Sequence, residues 1–193
     1  FVRELRIHGR GRQGAVIASK VLASALFREG SAVQAFPAFG VERRGAPVTA
    51  FLRFSQGPIL LRCEITQPHD LIILDPTLIK AVDVTQGLEP GGTILINTDR
   101  DADTYASLTS RFRVTLVDAS DIARKYGLGS RTQPIVNTAI LGAFAAASGL
   151  VSLNAICEAI AEAIPGKADL NIAAAREAAL AVVRLPFAEV HHA

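Results

Sequence analysis

A glycine-rich loop between a short apolar strand and a helical pattern is the feature that most constrains this chain. The segment Val2 to His8 predicts a strand, and a helical pattern opens at Ala15. The loop between them has the spacing G-x-G-x-x-G and consists of Gly9, Arg10, Gly11, Arg12, Gln13 and Gly14. This spacing is typical of a tight turn that lets backbone approach a phosphate at a helix N-terminus. The order strand, glycine loop, helix therefore predicts an α/β domain with an anion-binding turn.

The second predicted strand lacks the acidic residue of an ordinary dinucleotide site. Such sites place an Asp or Glu about 20 residues beyond the glycines, where it holds the adenosine ribose. Here the strand Ala32 to Phe36 ends in Pro37, while Glu29 precedes it and Glu42 lies well into the next loop. The sequence therefore disfavours an ordinary NAD site.

The loop after this strand carries two adjacent arginines. Arg43 and Arg44 stand beside Gly45. Guanidinium groups bind phosphates and carboxylates through planar, bidentate hydrogen bonds. We therefore expect the glycine loop, Arg43, Arg44 and Gly45 to hold an anionic ligand, with a carboxylate on a neighbouring subunit as the alternative target of the two arginines.

Several segments of the chain resemble the gamma subunit of the 2-oxoacid:acceptor oxidoreductases, with the pyruvate:ferredoxin type as the best match. They are His8 to Ala15, Gln34 to Val48, Asp75 to Leu78 and Asn137 to Ala143. The resemblance implies an enzyme that decarboxylates a 2-oxoacid on thiamine diphosphate, passes two electrons through iron–sulfur clusters and usually yields acyl-CoA. One departure is Arg12, which stands where the family more often has glycine and adds a positive charge near the expected phosphate.

The resemblance also implies a division of labour among subunits. The glycine loop and the Arg43/Arg44 loop of this chain would help bind the ADP portion of coenzyme A and hold the complex together. Thiamine diphosphate, Mg²⁺ and the iron–sulfur clusters are expected in partner subunits, which would pass electrons to ferredoxin or NAD. The isolated chain is not expected to be catalytic. Two alternatives stay open, a free-standing NAD(P)-dependent oxidoreductase and a non-catalytic nucleotide-binding assembly module, and the sequence does not name the 2-oxoacid.

The two cysteines, Cys63 and Cys157, are far apart and form no C-x-x-C spacing. An iron–sulfur cluster needs about four thiolates. We therefore expect two reduced, buried thiols, and any clusters must lie in other subunits.

Composition predicts one folded domain over residues 1–193. Apolar residues make up 50% and charged residues 20%, which excludes disorder, and the net charge of only +2 is spread without the basic stripe of a nucleic-acid-binding protein. The longest apolar stretch, Thr138 to Leu153, is shorter than the ~20 residues of a membrane span. No leader pattern is visible, so a cytoplasmic location is expected.

Alternating strand and helix patterns predict a Rossmann-like α/β fold, with a mostly parallel sheet, helices on both faces and an added antiparallel hairpin. The predicted strands are Arg3–His8, Ala32–Phe36, Pro47–Phe54, Ile59–Glu64, Leu71–Leu74, Thr93–Asn97 and Val114–Asp118. The predicted helices are Ala15–Glu29, Pro76–Val82, Ala119–Tyr126, Pro134–Gly149, Ser152–Ala163 and Asp169–Val183. The hairpin is expected between the strand ending at Phe54 and the strand starting at Ile59.

Polar residues at predicted strand ends have local roles in this interpretation. We expect His8 to make a local hydrogen bond. Asp75, the segment Asn97 to Asp99, and Asp118 with Ser120 are expected to cap the segments that follow them. No Ser-His-Asp order, H-E-x-x-H motif or carboxylate pair is present. The Ala-rich region from Thr138 to Val183 either covers the sheet or contributes subunit contacts.

Overall fold

The computed structural model describes residues 1–38 and 45–187, and these form one seven-stranded sheet flanked by helices. The strands are β1 (Val2–Arg10), β2 (Ala32–Pro37), β3 (Pro47–Ser55), β4 (Asp70–Ile73), β5 (Thr93–Asn97), β6 (Arg113–Val117) and β7 (Val183–Arg184). The helices are α1 (Ala15–Arg28), α2 (Leu78–Ala81), α3 (Ala106–Thr109), α4 (Ala119–Lys125), α5 (Ala139–Ser148), α6 (Leu153–Ala163) and α7 (Ala168–Leu180).

The strand order across the sheet is β2-β3-β1-β4-β5-β6-β7. Strands β1, β4, β5 and β6 are mutually parallel, whereas β3 runs antiparallel to both β1 and β2, and β7 runs antiparallel to β6. Because β2 is antiparallel to β3, it runs in the same direction as β1. The prediction of a mostly parallel α/β sheet is confirmed.

The expected position of the antiparallel hairpin is wrong. Residues 59–64 form no strand, and the antiparallel part of the sheet is instead β3, which lies between β1 and β2. The segment is held by side chains: Gln34 donates to the carbonyl oxygen of Leu61 at 3.1 Å, and Arg53 donates to that of Glu64 at 3.3 Å. Leu60 is 84% exposed, so the apolar run that suggested a strand is not used for burial.

Two apolar clusters cover the two faces of the sheet, which confirms helices on both faces. The larger cluster joins Leu5 and Ile7 of β1 to α1, α4, α5, α6 and α7. The smaller cluster joins Leu71 and Ile73 of β4 to α2 and to Tyr105 in the turn before α3. Successive residues of a strand point to opposite faces, so continuous apolar runs suit strands that are covered on both sides.

The small residues of the C-terminal third serve packing within the chain. A Cβ atom at Gly142 of α5 would lie 1.9 Å from the carbonyl oxygen of Ala175 in α7. Ala174, Ala175 and Ala178 are fully buried. These residues let α5 and α7 approach closely above the sheet. Within the described ranges, no helix has the length and apolarity needed to cross a bilayer.

Candidate functional site

Gln13 fixes the shape of the glycine loop between β1 and α1. Its side-chain oxygen accepts the backbone N–H of Arg10 at 2.7 Å, and its own backbone N–H donates to the carbonyl oxygen of Arg10 at 3.1 Å. Its side-chain amide also donates to the carboxylate of Asp75 at 3.2 Å. The loop is therefore tied both to itself and to the end of β4.

The first and third glycines of the loop are needed for close packing. A Cβ atom at Gly9 would lie 3.1 Å from the side chain of Leu74. Gly14 has a φ of +83°, and a Cβ atom there would lie 2.5 Å from Nδ2 of Asn137. A left-handed backbone with a side chain pressed against its Cα favours glycine. The third glycine thus packs against the segment that precedes α5.

The backbone N–H of Gly11 already has a partner within the chain. It donates to the carbonyl oxygen of Ala46 at 3.1 Å, at the start of the segment that leads into β3. Gly11 therefore joins the glycine loop to the base of the next loop, and this N–H is not free for a phosphate.

Arg10 connects the glycine loop to Gly45, in the segment that leads into β3, and to the turn before α2. Its guanidinium donates to the carbonyl oxygen of Gly45 at 3.1 Å and to the hydroxyl of Thr77 at 3.0 Å, and its Nε lies 3.3 Å from a carboxylate oxygen of Asp75. The hydroxyl and backbone N–H of Thr77 also donate to Asp75, at 2.6 and 3.0 Å. The predicted capping role of Asp75 is therefore present in the turn before α2, with Arg10 added to it.

Arg12 has a φ of +77° and is the only non-glycine residue with a left-handed backbone among residues 1–38 and 45–187. This conformation explains physically why glycine suits the position, because a Cβ atom raises its energy. The Arg12 side chain is exposed and makes no hydrogen bond or ion pair to the described part of the chain.

These residues border a cleft of about 670 Å³ at the carboxyl ends of β1, β4 and β5. The carboxyl edge of a parallel sheet is where open α/β folds bind ligands. From the predicted site, the cleft is lined by Arg10, Gly11, Arg12, Gln13 and Gly45. Gly9 and Gly14 shape the loop from behind, and Arg43 and Arg44 lie outside the described residues.

The charge of the cleft favours an anion. Among the described residues, its lining contains three arginines, Arg10, Arg12 and Arg124, and one acidic residue, Asp75. No side chain in residues 1–38 and 45–187 caps the N-terminus of α1, so the N–H groups of its first turn have no side-chain acceptor in these ranges. The arrangement can bind a negatively charged group through guanidinium and helix-terminus contacts.

The sequence did not indicate some of the residues that line the cleft. They include Arg124 at the end of α4 and the segment Thr132 to Pro134. The signal that could have found Arg124 is its position in the helix that directly follows β6, since such helices border the carboxyl edge of the sheet.

Asn97 holds the floor of the cleft together. Its amide donates to the carbonyl oxygen of Leu74 and to the hydroxyl of Ser120, both at 2.9 Å, and its oxygen accepts the N–H of Ser120 at 3.2 Å. It therefore joins the ends of β4 and β5 to the start of α4. Asp118 accepts the N–H of Asp121 at 2.8 Å and caps α4 as expected.

His8 lies on the face of β1 opposite Leu5 and Ile7, and does not line the cleft. Its Nδ1 is 3.5 Å from the hydroxyl of Thr49, which matches the expected local contact. Burial, aided by the charge of Arg6, lowers the pKa of His8 to about 4. The imidazole is therefore neutral at pH 7.

The two thiols differ in exposure. Cys157 is buried, and burial raises the pKa of its thiol. The expectation of burial is wrong for Cys63, which is exposed because residues 59–64 run outside the sheet, and its sulfur lies 3.7 Å from the guanidinium of Arg53. In the ranges that the structure describes, no three His, Cys, Asp or Glu side chains are grouped to hold a metal.

Comparison with known proteins gives a consistent result. Residues 4–181 match the family model described as pyruvate ferredoxin/flavodoxin oxidoreductase. The chain is 49% identical over 178 residues to the pyruvate/ketoisovalerate oxidoreductases common subunit gamma of Thermococcus kodakarensis, covering 91% of this chain and 94% of the relative. It is 47% identical over 174 residues to pyruvate synthase subunit PorC of Methanothermobacter marburgensis, covering 90% and 93%.

A solved structure extends this similarity to the fold. The crystal structure of pyruvate oxidoreductase subunit PorC from Thermotoga maritima superposes with a TM-score of 0.80 at 32% identity, covering 96% of this chain and 99% of that chain. The similarity therefore spans the whole sheet and its helices.

Proposed function

Because this chain belongs to the pyruvate ferredoxin/flavodoxin oxidoreductase family and is a gamma-type subunit of a 2-oxoacid oxidoreductase complex, we propose that its glycine-loop cleft binds the phosphates of coenzyme A. The observation that carries the proposal is the cleft itself, whose described lining contains Arg10, Arg12 and Arg124 and one acidic residue, Asp75, at the carboxyl edge of the sheet. Arg10 and Arg124 are ion-paired with Asp75 and Asp121, so Arg12 is the arginine available to a ligand. Guanidinium groups and helix N-termini both bind phosphates.

The arginines of the cleft have different roles in this proposal. Arg12 is the ligand-binding arginine of the glycine loop, because its side chain is exposed and makes no internal ion pair or hydrogen bond to the described residues. Arg10 positions the loop, because its donors are already used by Gly45, Thr77 and Asp75. Arg43 and Arg44 remain predicted phosphate contacts on sequence grounds.

The oxidative chemistry belongs to the partner subunits. We propose that the assembled complex converts a 2-oxoacid to acyl-CoA, with thiamine diphosphate and Mg²⁺ supplying the decarboxylation and iron–sulfur clusters carrying the electrons to ferredoxin or NAD. The chain has only two cysteines, whereas a cluster needs about four thiolates. The contribution of this chain is to hold coenzyme A and to contact its partners.

The topology argues against a dinucleotide-binding oxidoreductase. Strand β3 separates β2 from β1, so the end of β2 is not beside the glycine loop, where the ribose-binding carboxylate of such a fold stands. β2 also ends in Pro37 without a carboxylate.

Coenzyme A titration of the assembled complex tests the proposal. We expect Arg12→Ala to weaken coenzyme A binding about 10-fold or more, because a charge-assisted hydrogen bond contributes roughly 1.5–3 kcal/mol. The matched control is Arg111→Ala, an exposed arginine that precedes β6 at the opposite edge of the sheet. Unchanged affinity in an intact Arg12→Ala complex would contradict the assignment of Arg12 as a phosphate contact.

A further inference from the structure

A second concavity lies along the outer side of α1, and we call it the α1 groove. It has a volume of about 590 Å³ and shares no lining residue with the glycine-loop cleft. Its walls come from α1, from the end of α6 and from the segment before α5. They include Ile17, Val21, Ala159, Ala163, Ile135 and Asn137.

The walls of the α1 groove have the spacing of a helix-docking surface. Ile17, Val21 and Ser24 lie at positions i, i+4 and i+7 of α1, a stripe about 10 Å long at 1.5 Å per residue. Ala159 and Ala163 of α6 lie at i and i+4 on the facing wall. Small side chains at this spacing leave room for the ridge of a third helix.

Large apolar side chains at the groove are left in water. Ile17 is 50% exposed and Ile135 is 40% exposed. Both line the groove. A partner that covers them stabilises the complex by removing their apolar surface from water.

The floor of the groove contains a buried acceptor that lacks a donor. Asn137 is 3% exposed, and its side-chain oxygen is buried without a hydrogen-bond partner in residues 1–38 and 45–187. Because this oxygen is closed to solvent, a docking partner does not contact it, and the groove offers apolar and charged contacts instead.

The rim of the groove is positively charged. Lys20 and Lys167 lie on it, and neither forms an ion pair within the described ranges. The carboxylate on the rim, Glu162, is already paired with Arg28. The charge of the rim therefore complements an acidic partner.

We propose that the α1 groove is the docking site for an amphipathic helix of another subunit of the oxidoreductase complex. Its apolar side chains pack against Ile17 and Ile135, and flanking carboxylates pair with Lys20 and Lys167. Ile17 and Ile135 are 50% and 40% exposed and offer apolar contacts to a helix that lies across the groove, whereas a small-molecule site encloses its ligand. The inference rests on the proposed role as a complex subunit and is independent of the coenzyme A assignment.

Two exposed apolar residues of the same helix give a matched test. Ile17→Glu places a charge in the groove, whereas Phe27→Glu places one at the end of α1, where Phe27 is 67% exposed and does not line the groove. The chain is co-expressed with the other subunits of its complex, and the mass of the purified assembly is measured by sedimentation velocity. We expect Ile17→Glu to reduce the fraction of assembled chain at least 10-fold and Phe27→Glu to assemble normally.

The charged rim gives a second variant that does not touch the core. We expect the double variant Lys20→Glu/Lys167→Glu to weaken assembly at least 10-fold, with a larger loss at low salt because the repulsion is then less screened. Normal assembly of this variant, or of a folded Ile17→Glu chain, would overturn the proposal. The proposal would also be overturned if either groove variant formed an intact complex that binds coenzyme A more weakly, because the groove would then be a ligand pocket. Failure of Arg12→Ala to affect coenzyme A would leave this docking result unchanged.

Discussion

Arg12 combines an unfavourable backbone with the most available positive charge of the glycine loop. Its φ of +77° costs a non-glycine residue about 1–2 kcal/mol. Substitution by glycine removes this strain, and the greater freedom of glycine in the unfolded chain offsets part of the gain in stability. We expect Arg12→Gly to raise the free energy of unfolding by about 0.5–1 kcal/mol and the Tm by a few degrees. Arg12→Lys, which keeps the Cβ atom, is the control, and a lower Tm in Arg12→Gly would show that the side chain stabilises the loop.

The buried imidazole of His8 makes stability depend on pH. Its pKa is about 4 in the folded chain, against 6.5 for an ordinary histidine. Between these values the unfolded chain binds a proton that the folded chain does not, so stability falls as the pH drops from 6.5 to 4. The loss reaches about 3 kcal/mol at 1.36 kcal/mol per pH unit.

Denaturant unfolding at pH 7 and pH 4.5 measures this dependence. His8→Gln removes the titrating group, and we expect the variant to lose less stability than the parent chain over the same range. Equal losses in both proteins would place the acid sensitivity in other groups.

Most helices and strands could be predicted from local sequence patterns, and those that could not have physical reasons. Strands β1, β2, β3 and β5 and helix α1 lie within about two residues of their predicted bounds, because apolar periodicity and glycine punctuation are local signals. The helix predicted from Pro134 begins only at Ala139, because Pro134 pairs with Gly129 in an isolated bridge and residues 137–138 form a turn. The insertion of β3 between β1 and β2 depends on which strands become neighbours, and a single strand's pattern does not contain that information.

The candidate site, like the fold, could be predicted from the sequence only in part. The glycine loop and its place before α1 follow from spacing alone. The internal contacts of Arg10 with Gly45 and Thr77 do not, because they join residues that are 35 and 67 positions apart. A sequence does not show which acceptors the fold brings close to a given arginine. Arg10 and Arg12 therefore look equivalent in the sequence, whereas in the structure the guanidinium of Arg10 is used by internal contacts.

The contact between α5 and α7 opposes intrinsic helix propensity. Alanine favours a helix over glycine by about 1 kcal/mol, yet a Cβ atom at Gly142 would lie 1.9 Å from the carbonyl oxygen of Ala175. We expect Gly142→Ala to lower the free energy of unfolding by about 1–3 kcal/mol, as overpacked cores do. Thermal unfolding beside Gly166→Ala, where a Cβ atom meets nothing within 4 Å, checks this. A Gly142→Ala chain as stable as the parent would mean that the two helices separate at little cost.

At the scale of the whole molecule, the loop that carries Arg43 and Arg44 begins and ends at defined anchors. Ala38 donates its N–H to the carbonyl oxygen of Thr49 at 2.8 Å, and Gly45 lines the cleft and accepts a hydrogen bond from Arg10. Gly45, which directly follows Arg44 in the sequence, therefore lies at the proposed phosphate site, in a chain that also belongs to a complex of subunits. Phosphate binding and subunit binding are the two roles to separate.

Arg43→Ala and Arg44→Ala in the assembled complex separate these roles. If either guanidinium binds a coenzyme A phosphate, its loss should weaken coenzyme A about 10- to 150-fold, since a charge-assisted hydrogen bond contributes roughly 1.5–3 kcal/mol. Lysine at the same position should restore only part of the affinity, because it keeps the charge and loses the planar fork. Weaker coenzyme A binding in an intact complex supports the phosphate role, and dissociation of the subunits supports the interface role. If neither variant changes either property, the paired arginines have neither role, and anion binding in the cleft depends on Arg12 and Arg124.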